Sequence, residues 1–205
     1  MKNIAVFASG NGSNFQAILD AAASGMLEAN ICMLVCDRPG AFAVERANAA
    51  GIETFVFNPK EFAGKEEFEE LIARELADAS VDWIILAGYM RLIGPVLLSA
   101  YGGRIINIHP SLLPNYPGRD AIGQALAAGA AMTGVTVHFV DEGMDTGPVI
   151  AQLEVPINTS ETSESLQAKI QEVEHRLYPA VLQTLLLTQG EREYGTKTGT
   201  HLCIE

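Results

Sequence analysis

The chain has 205 residues, 48% of them apolar, and a formal net charge of −12 from 25 acidic against 13 basic side chains. That length suits one domain with enough apolar material to bury a core. No apolar run approaches the roughly 18 residues of a membrane span, and the scattered cations form no basic stripe, so neither a membrane nor a nucleic-acid partner is expected.

The opening "MKNIAVFASG" has too short an apolar run for a secretory signal and reads as the first strand of a soluble, cytoplasmic protein. "SNFQAILDAAAS" reads as a helix and "ANICMLVCD" as a second strand. Strand alternation would put Cys32 and Cys36 on one face, as small buried hydrophobes of a reducing compartment. CxxxC inside an apolar strand lacks the paired clusters of a zinc site, and with Cys203 the odd count argues against a disulfide framework. "AFAVERANAAG" predicts a helix closed by Gly51, followed by the strand "ETFVF". "KEEFEELIARELADAS" predicts a helix with Phe68, Leu71, Ile72 and Leu76 on one face, followed by the strand "VDWIILAG". A short helix after Pro95 leads to the strand "RIINIH". Alternating elements with near-continuous apolar strands imply an α/β fold, a mostly parallel Rossmann-like sheet with helices on both faces.

The second half changes character. "SLLPNYPGRD" is rich in turn residues and is expected to be an exposed loop before the helix "AIGQALAAGA". "TGVTVHFVD" and "GPVIAQLEVPI", joined through "EGMDT", read as an antiparallel strand pair. "TSESLQAKIQEVEHRLYPAVLQTLLL" gives one long helix or two segments meeting near Pro179. The expected domain runs over residues 1–190, with a partly mobile tail over 191–205.

Two places carry chemistry. "FASGNGSNFQAI" puts Gly10 and Gly12 between a strand and a helix, where free N–H groups and the helix dipole favour an anion even in an acidic protein. Ser13 and Asn14 add donors; the alternative is a glycine turn with a Ser or Asn helix cap and no ligand. A dinucleotide fingerprint would need a glycine at Phe15, and no P-loop lysine follows. In "IINIHP", Asn107 and His109 share one strand face while Ile106 and Ile108 share the other, and Pro110 ends the strand. Asn107 can donate to an oxyanion and His109 can move protons, with a carboxylate favouring its charged form. Asp141, Glu142 and Asp145 of "DEGMDTG" are the candidates for that carboxylate. His138, mid-strand, His175, on a helix, and His201, in the tail, read as structural, and no histidine cluster suggests a metal. The set suits attack by a substrate nucleophile on a carbonyl.

"SGNGSN", "LAGYMRLIGP", "INIHPSLLPNYPG" and "TGVTVHFVDEGMDTGPVI", in this order, resemble the glycinamide ribonucleotide formyltransferases of purine biosynthesis. The resemblance implies formyl transfer from 10-formyltetrahydrofolate, a co-substrate, to the amine of glycinamide ribonucleotide, with no metal. It implies catalytic roles for Asn107, His109 and Asp145. Gly12, Ser13 and Asn14, with Gln171, Glu172, Val173 and Glu174, would bind the ribonucleotide. Lys65, Met90, Arg91, Leu92 and Ile93, with Asn107, Asp141, Glu142, Gly143, Met144 and Asp145, would bind the folate. Asp120 stands where other members have His and receives no role. The oligomer is left open as monomer or homodimer. Competing readings are a formyltetrahydrofolate deformylase, a methionyl-tRNA formyltransferase, or a non-catalytic nucleotide-binding module on the same fold. "NYPG" after "SLLP", in place of the Arg-Gly usual in the tRNA enzyme, and the acidic charge disfavour the tRNA enzyme.

Overall fold

The computed structural model describes residues 1–188. Its strands are β1 (Lys2–Ala8), β2 (Ala29–Cys36), β3 (Glu53–Val56), β4 (Trp83–Leu86), β5 (Ile105–His109), β6 (Met132–Phe139) and β7 (Val149–Pro156). They form one sheet in the order β3-β2-β1-β4-β5-β6-β7. The first five run parallel; β6 is antiparallel to β5 and β7 to β6. The expected α/β class is therefore present, and the antiparallel pair extends the main sheet.

The helices are α1 (Ser13–Ala23), α2 (Phe42–Ala49), α3 (Lys65–Asp78), α4 (Pro95–Tyr101), α5 (Ala121–Ala127) and α6 (Ser163–Thr188). Residues Ile4 to Ala8 of β1 are fully buried, as a strand covered on both faces must be. On one face, Phe15 and Ile18 of α1, Ala43 of α2 and Tyr178 and Leu182 of α6 pack on the sheet. On the other, Phe68 and Ile72 of α3 and Leu97 of α4 do so. Each large apolar side chain buried this way contributes ~1.5–3 kcal/mol. Strand order reverses between β1 and β4, and in such sheets a crevice opens at the carboxyl ends of the two strands.

Several expectations change. Cys32 and Cys36 do not share a face: the β1–β2 register shifts at Ile4/Ala5 and skips Cys32. The extra residue of this bulge turns Cys32 to the α3 side, half-buried, while Cys36 stays buried on the α1 side. On α3 the buried set is Phe68, Glu69, Ile72 and Leu76, so a carboxylate takes an interior position and Leu71 lies at the flank. The 111–120 loop is not wholly exposed, because Ser111 and Leu113 are buried. There Leu113 N–H donates to Thr136 Oγ1, whose hydroxyl donates to the Ser111 carbonyl, so these two buried backbone groups have partners. α6 is one helix through Pro179, which is buried. Cys203, His201 and the expected tail lie outside the described residues.

Candidate active site

One cleft of about 1390 Å³ runs across the carboxyl ends of β1, β4 and β5 and takes in the loop before α5 and the β6–β7 connection. It exceeds the ~300–1,000 Å³ typical of a single small-molecule site. That is room for two substrates end to end.

The β1–α1 loop forms the first end. Gly12 is the residue before α1, with φ 74°, and a Cβ there would come within 2.8 Å of Ala43 Cβ. Only glycine combines that left-handed backbone with so close an approach of α2. No side chain caps α1, so the cap alternative falls and its first-turn N–H groups remain for a ligand. Ser13 lines the cleft here. Asn14 is committed differently, since its Nδ2 donates to Glu174 Oε2 at 3.1 Å. That bond ties the loop to α6, whose Gln171 and Glu174 also line the cleft. Glu172 is exposed and Val173 packs against the core: one and two positions along a helix rotate a side chain away from the face of Gln171. Burial raises the Glu174 carboxyl to about 7, although the Asn14 bond pulls the other way.

The other end is built on the loop after β4. Met90 and Leu92 expose large apolar side chains to the cleft, and Ile93 is buried beneath them. Met90 N–H donates to Ser9 Oγ at 2.9 Å. Arg91 is anchored on buried Asp37 (Nε to Oδ2, 2.7 Å) and lies over the Phe68 ring. Lys65, at the start of α3, lines this end, with Nζ 4.0 Å from Glu69. Met144 supplies an exposed apolar side chain from the β6–β7 connection, while Asp141 holds that connection in shape by accepting from Gly143 N–H and Thr146 Oγ1. Glu142 is exposed and does not line the cleft. Asp120 caps a helix: it precedes α5 and accepts from Gly123 N–H.

Between the two ends sit the polar residues of β5. Asn107 and His109 face the same side, opposite Ile106 and Ile108 in the core. Of the three candidate carboxylates, Asp145 reaches them: its Oδ2 lies 3.4 Å from His109 Nδ1 and its Oδ1 3.4 Å from Asn107 Nδ2. Asp145 has a left-handed backbone (φ 56°), a cost of ~1–2 kcal/mol, offset in part by the 2.7 Å bond from Gly118 N–H to Oδ2. Burial pushes the Asp145 carboxyl up, but its contacts with His138, Gly118 N–H and His109 outweigh this and hold it below the usual carboxylate range. His109 Nε2 is 2.9 Å from the Tyr116 carbonyl. Both ring nitrogens of His109 therefore face oxygen acceptors, an arrangement that a doubly protonated imidazolium satisfies.

The structure adds a residue that the sequence reading set aside. His138 of β6 pairs directly with Asn107 of β5, is buried, and lies 3.1 Å from Asn107 Nδ2 and 3.6 Å from Asp145 Oδ1 through Nε2. The signal was available only in the pairing: residues opposite one another on adjacent strands share a face.

The formyl transferase family matches residues 2–182, and the chain belongs to that family. Among its relatives, phosphoribosylglycinamide formyltransferase of Bacillus subtilis is 53% identical, over 91% of this chain and 95% of that protein. The Escherichia coli protein of the same name is 40% identical, over 88% of this chain and 85% of its own. In three dimensions, glycinamide ribonucleotide transformylase 1 from Geobacillus kaustophilus superposes with a TM-score of 0.89 and 63% identity, covering 91% of this chain and 99% of that one.

Proposed function

We propose that the cleft transfers a formyl group from 10-formyltetrahydrofolate to the primary amine of glycinamide ribonucleotide, in purine biosynthesis. The observation that carries this reading is the convergence of Asn107, His109 and Asp145 between an anion-binding helix terminus and an apolar wall within one cleft. The α1 terminus suits the ribonucleotide phosphate, and Glu174 suits its amine. Met90, Leu92 and Met144 suit the flat, mostly apolar folate ring, with loop backbone groups for its polar edge.

The amine nitrogen attacks the formyl carbon, and the carbonyl electron pair moves onto oxygen. Asn107 donates a hydrogen bond to that oxygen, and the His109 imidazolium adds positive charge beside it. The intermediate collapses as the bond from carbon to the folate N10 breaks. His109 gives its proton to N10 as that bond breaks, and the proton lost by the attacking amine restores it. Asp145 stabilises the charge on His109 and fixes the ring. In this reading the protein acts in the cytoplasm on small molecules, as a monomer or homodimer.

The test is a steady-state assay with both substrates. Asn107→Ala, His109→Ala and Asp145→Ala are each expected to lower kcat/KM by at least ~10²-fold, the scale of one catalytic group. Near-native rates in all three would sink the mechanism.

A further inference from the structure

The contacts of Asn107 raise a question of orientation. An amide offers a carbonyl on one side and an NH₂ on the other, and only the NH₂ can stabilise an oxyanion. Something must keep the nitrogen at the working position.

His138 supplies the constraint. Its Nδ1 lies 2.7 Å from the carbonyl oxygen of Phe139. A carbonyl only accepts, so Nδ1 carries a hydrogen, and in the neutral ring Nε2 is left with a lone pair. That lone pair points at the Asn107 amide, 3.1 Å away. It needs a donor, which selects the NH₂ side of Asn107. The reverse orientation would set the amide oxygen against the Nε2 lone pair and against the Asp145 carboxylate, where Nδ2 now lies 3.4 Å from Oδ1. A buried acceptor facing two acceptors is costly.

The two histidines beside Asp145 differ in the same terms. His109 has an oxygen acceptor at each ring nitrogen; His138 has an acceptor at Nδ1, while the nearest partner of its Nε2 is the Asn107 amide nitrogen at 3.1 Å, with Asp145 Oδ1 farther off at 3.6 Å. The Asn107 hydrogen held by His138 is the shorter contact, and the one aimed at Asp145 is long. The longer bond is the one that a formyl oxygen can take over.

We propose that His138 is a positioning residue: as the neutral tautomer protonated on Nδ1, it fixes the Asn107 amide with its NH₂ presented to the formyl oxygen. The inference rests on the formyl-transfer reading for its consequence, but the tautomer itself is measurable without substrate.

Long-range ¹⁵N–¹H correlation on histidine-labelled protein near neutral pH reads the ring directly. His138 should show a protonated Nδ1 and an unprotonated Nε2; an Nε2-protonated or doubly protonated ring overturns the proposal. Kinetically, His138→Leu should lower kcat by ~10²-fold, the worth of one oxyanion donor, while either KM moves less than ~3-fold. His138→Gln, which keeps an acceptor toward Asn107, should recover most of that loss. The double variant His138→Leu with Asn107→Ala should be no slower than Asn107→Ala alone, because both changes remove the same interaction. Independent, multiplicative losses would mean that His138 does not act through Asn107. Should the leucine variant not fold, the tautomer and the glutamine variant still decide.

Discussion

Asn14 and Glu174, 160 positions apart in the chain, meet through a 3.1 Å hydrogen bond that ties the β1–α1 loop to α6 at one end of the cleft. The glutamate is buried on α6, and its carboxyl is raised to about 7. Its folded value is above its unfolded one, so the sign follows directly. Folding is favoured by its protonation at pH below about 4.5, and that advantage is lost as pH rises through about 7. Above that range the fold carries a buried ionised carboxylate, which costs ~3 kcal/mol at this shift. Glu174→Gln should therefore raise Tm at alkaline pH and flatten its dependence on pH between the two values. The same variant should weaken ribonucleotide binding, because an ionised carboxylate accepts the amine's N–H groups better than an amide oxygen does. In the wild type, KM for the ribonucleotide should fall as pH rises through about 7, and in the variant it should not. Melting curves and KM measured across that range check both.

Arg46 of α2 holds the shape of the β1–α1 loop from outside. Its Nε and Nη2 reach the carbonyl and side-chain oxygens of Asn11 at 2.9 and 3.1 Å, and Nη1 reaches Gln16 Oε1 at 2.9 Å. Phe42 stacks beneath the guanidinium, one helical turn earlier. Arg46→Ala should raise KM for the ribonucleotide ~5–30-fold, the equivalent of one or two such bonds, with kcat little changed. Arg46→Lys should recover only part, since an ammonium lacks the planar fork that spans two residues. Substrate saturation curves with the folate donor held in excess measure this.

Glu69 supports the other end. Its Oε1 accepts the backbone N–H of Gly94 at 2.6 Å, at the entrance to α4 and directly behind residues 90–93. Burial pushes its carboxyl up, against the pull of the Gly94 N–H and of Lys65. Glu69→Ala leaves that N–H unsatisfied in the interior and should destabilise the protein by ~1–3 kcal/mol. It should also raise KM for the folate donor more than KM for the ribonucleotide. Glu69→Gln keeps an acceptor toward Gly94 and should stay near wild type in both. Urea unfolding together with two-substrate kinetics checks the pair.

What the sequence disclosed depended on whether the pattern was local. Asn107 and His109 were legible because two-residue alternation in "IINIH" and a following proline are properties of one strand. The tight β1–α1 turn was legible because glycines between a strand and a helix mark such a turn, and Gly12 takes the left-handed backbone there. His138 was not legible, since its importance lies in standing opposite Asn107 across the β5–β6 pair, a relation no single strand encodes. Cys32 was misplaced for a related reason: a bulge adds one residue and reverses the alternation, with nothing in "ICMLVC" to mark it. Glu69 was hidden by its type. A glutamate in "KEEFEEL" reads as a solvated helix face until the Gly94 N–H that it serves is seen behind it. Among Asp141, Glu142 and Asp145 the residue types alone left the choice open and the family resemblance named Asp145; in the fold it reaches the histidines while Asp141 braces the turn.

The most direct measurement follows the formyl carbon itself. The purified protein would be given 10-formyltetrahydrofolate labelled with ¹³C in the formyl group, and the label followed by NMR with and without glycinamide ribonucleotide. Direct transfer requires that with the ribonucleotide the label moves into the product formamide, one for each tetrahydrofolate released, and that without it the donor persists. Label accumulating as free formate whether or not the ribonucleotide is present would contradict direct transfer and mark the site as that of a hydrolase.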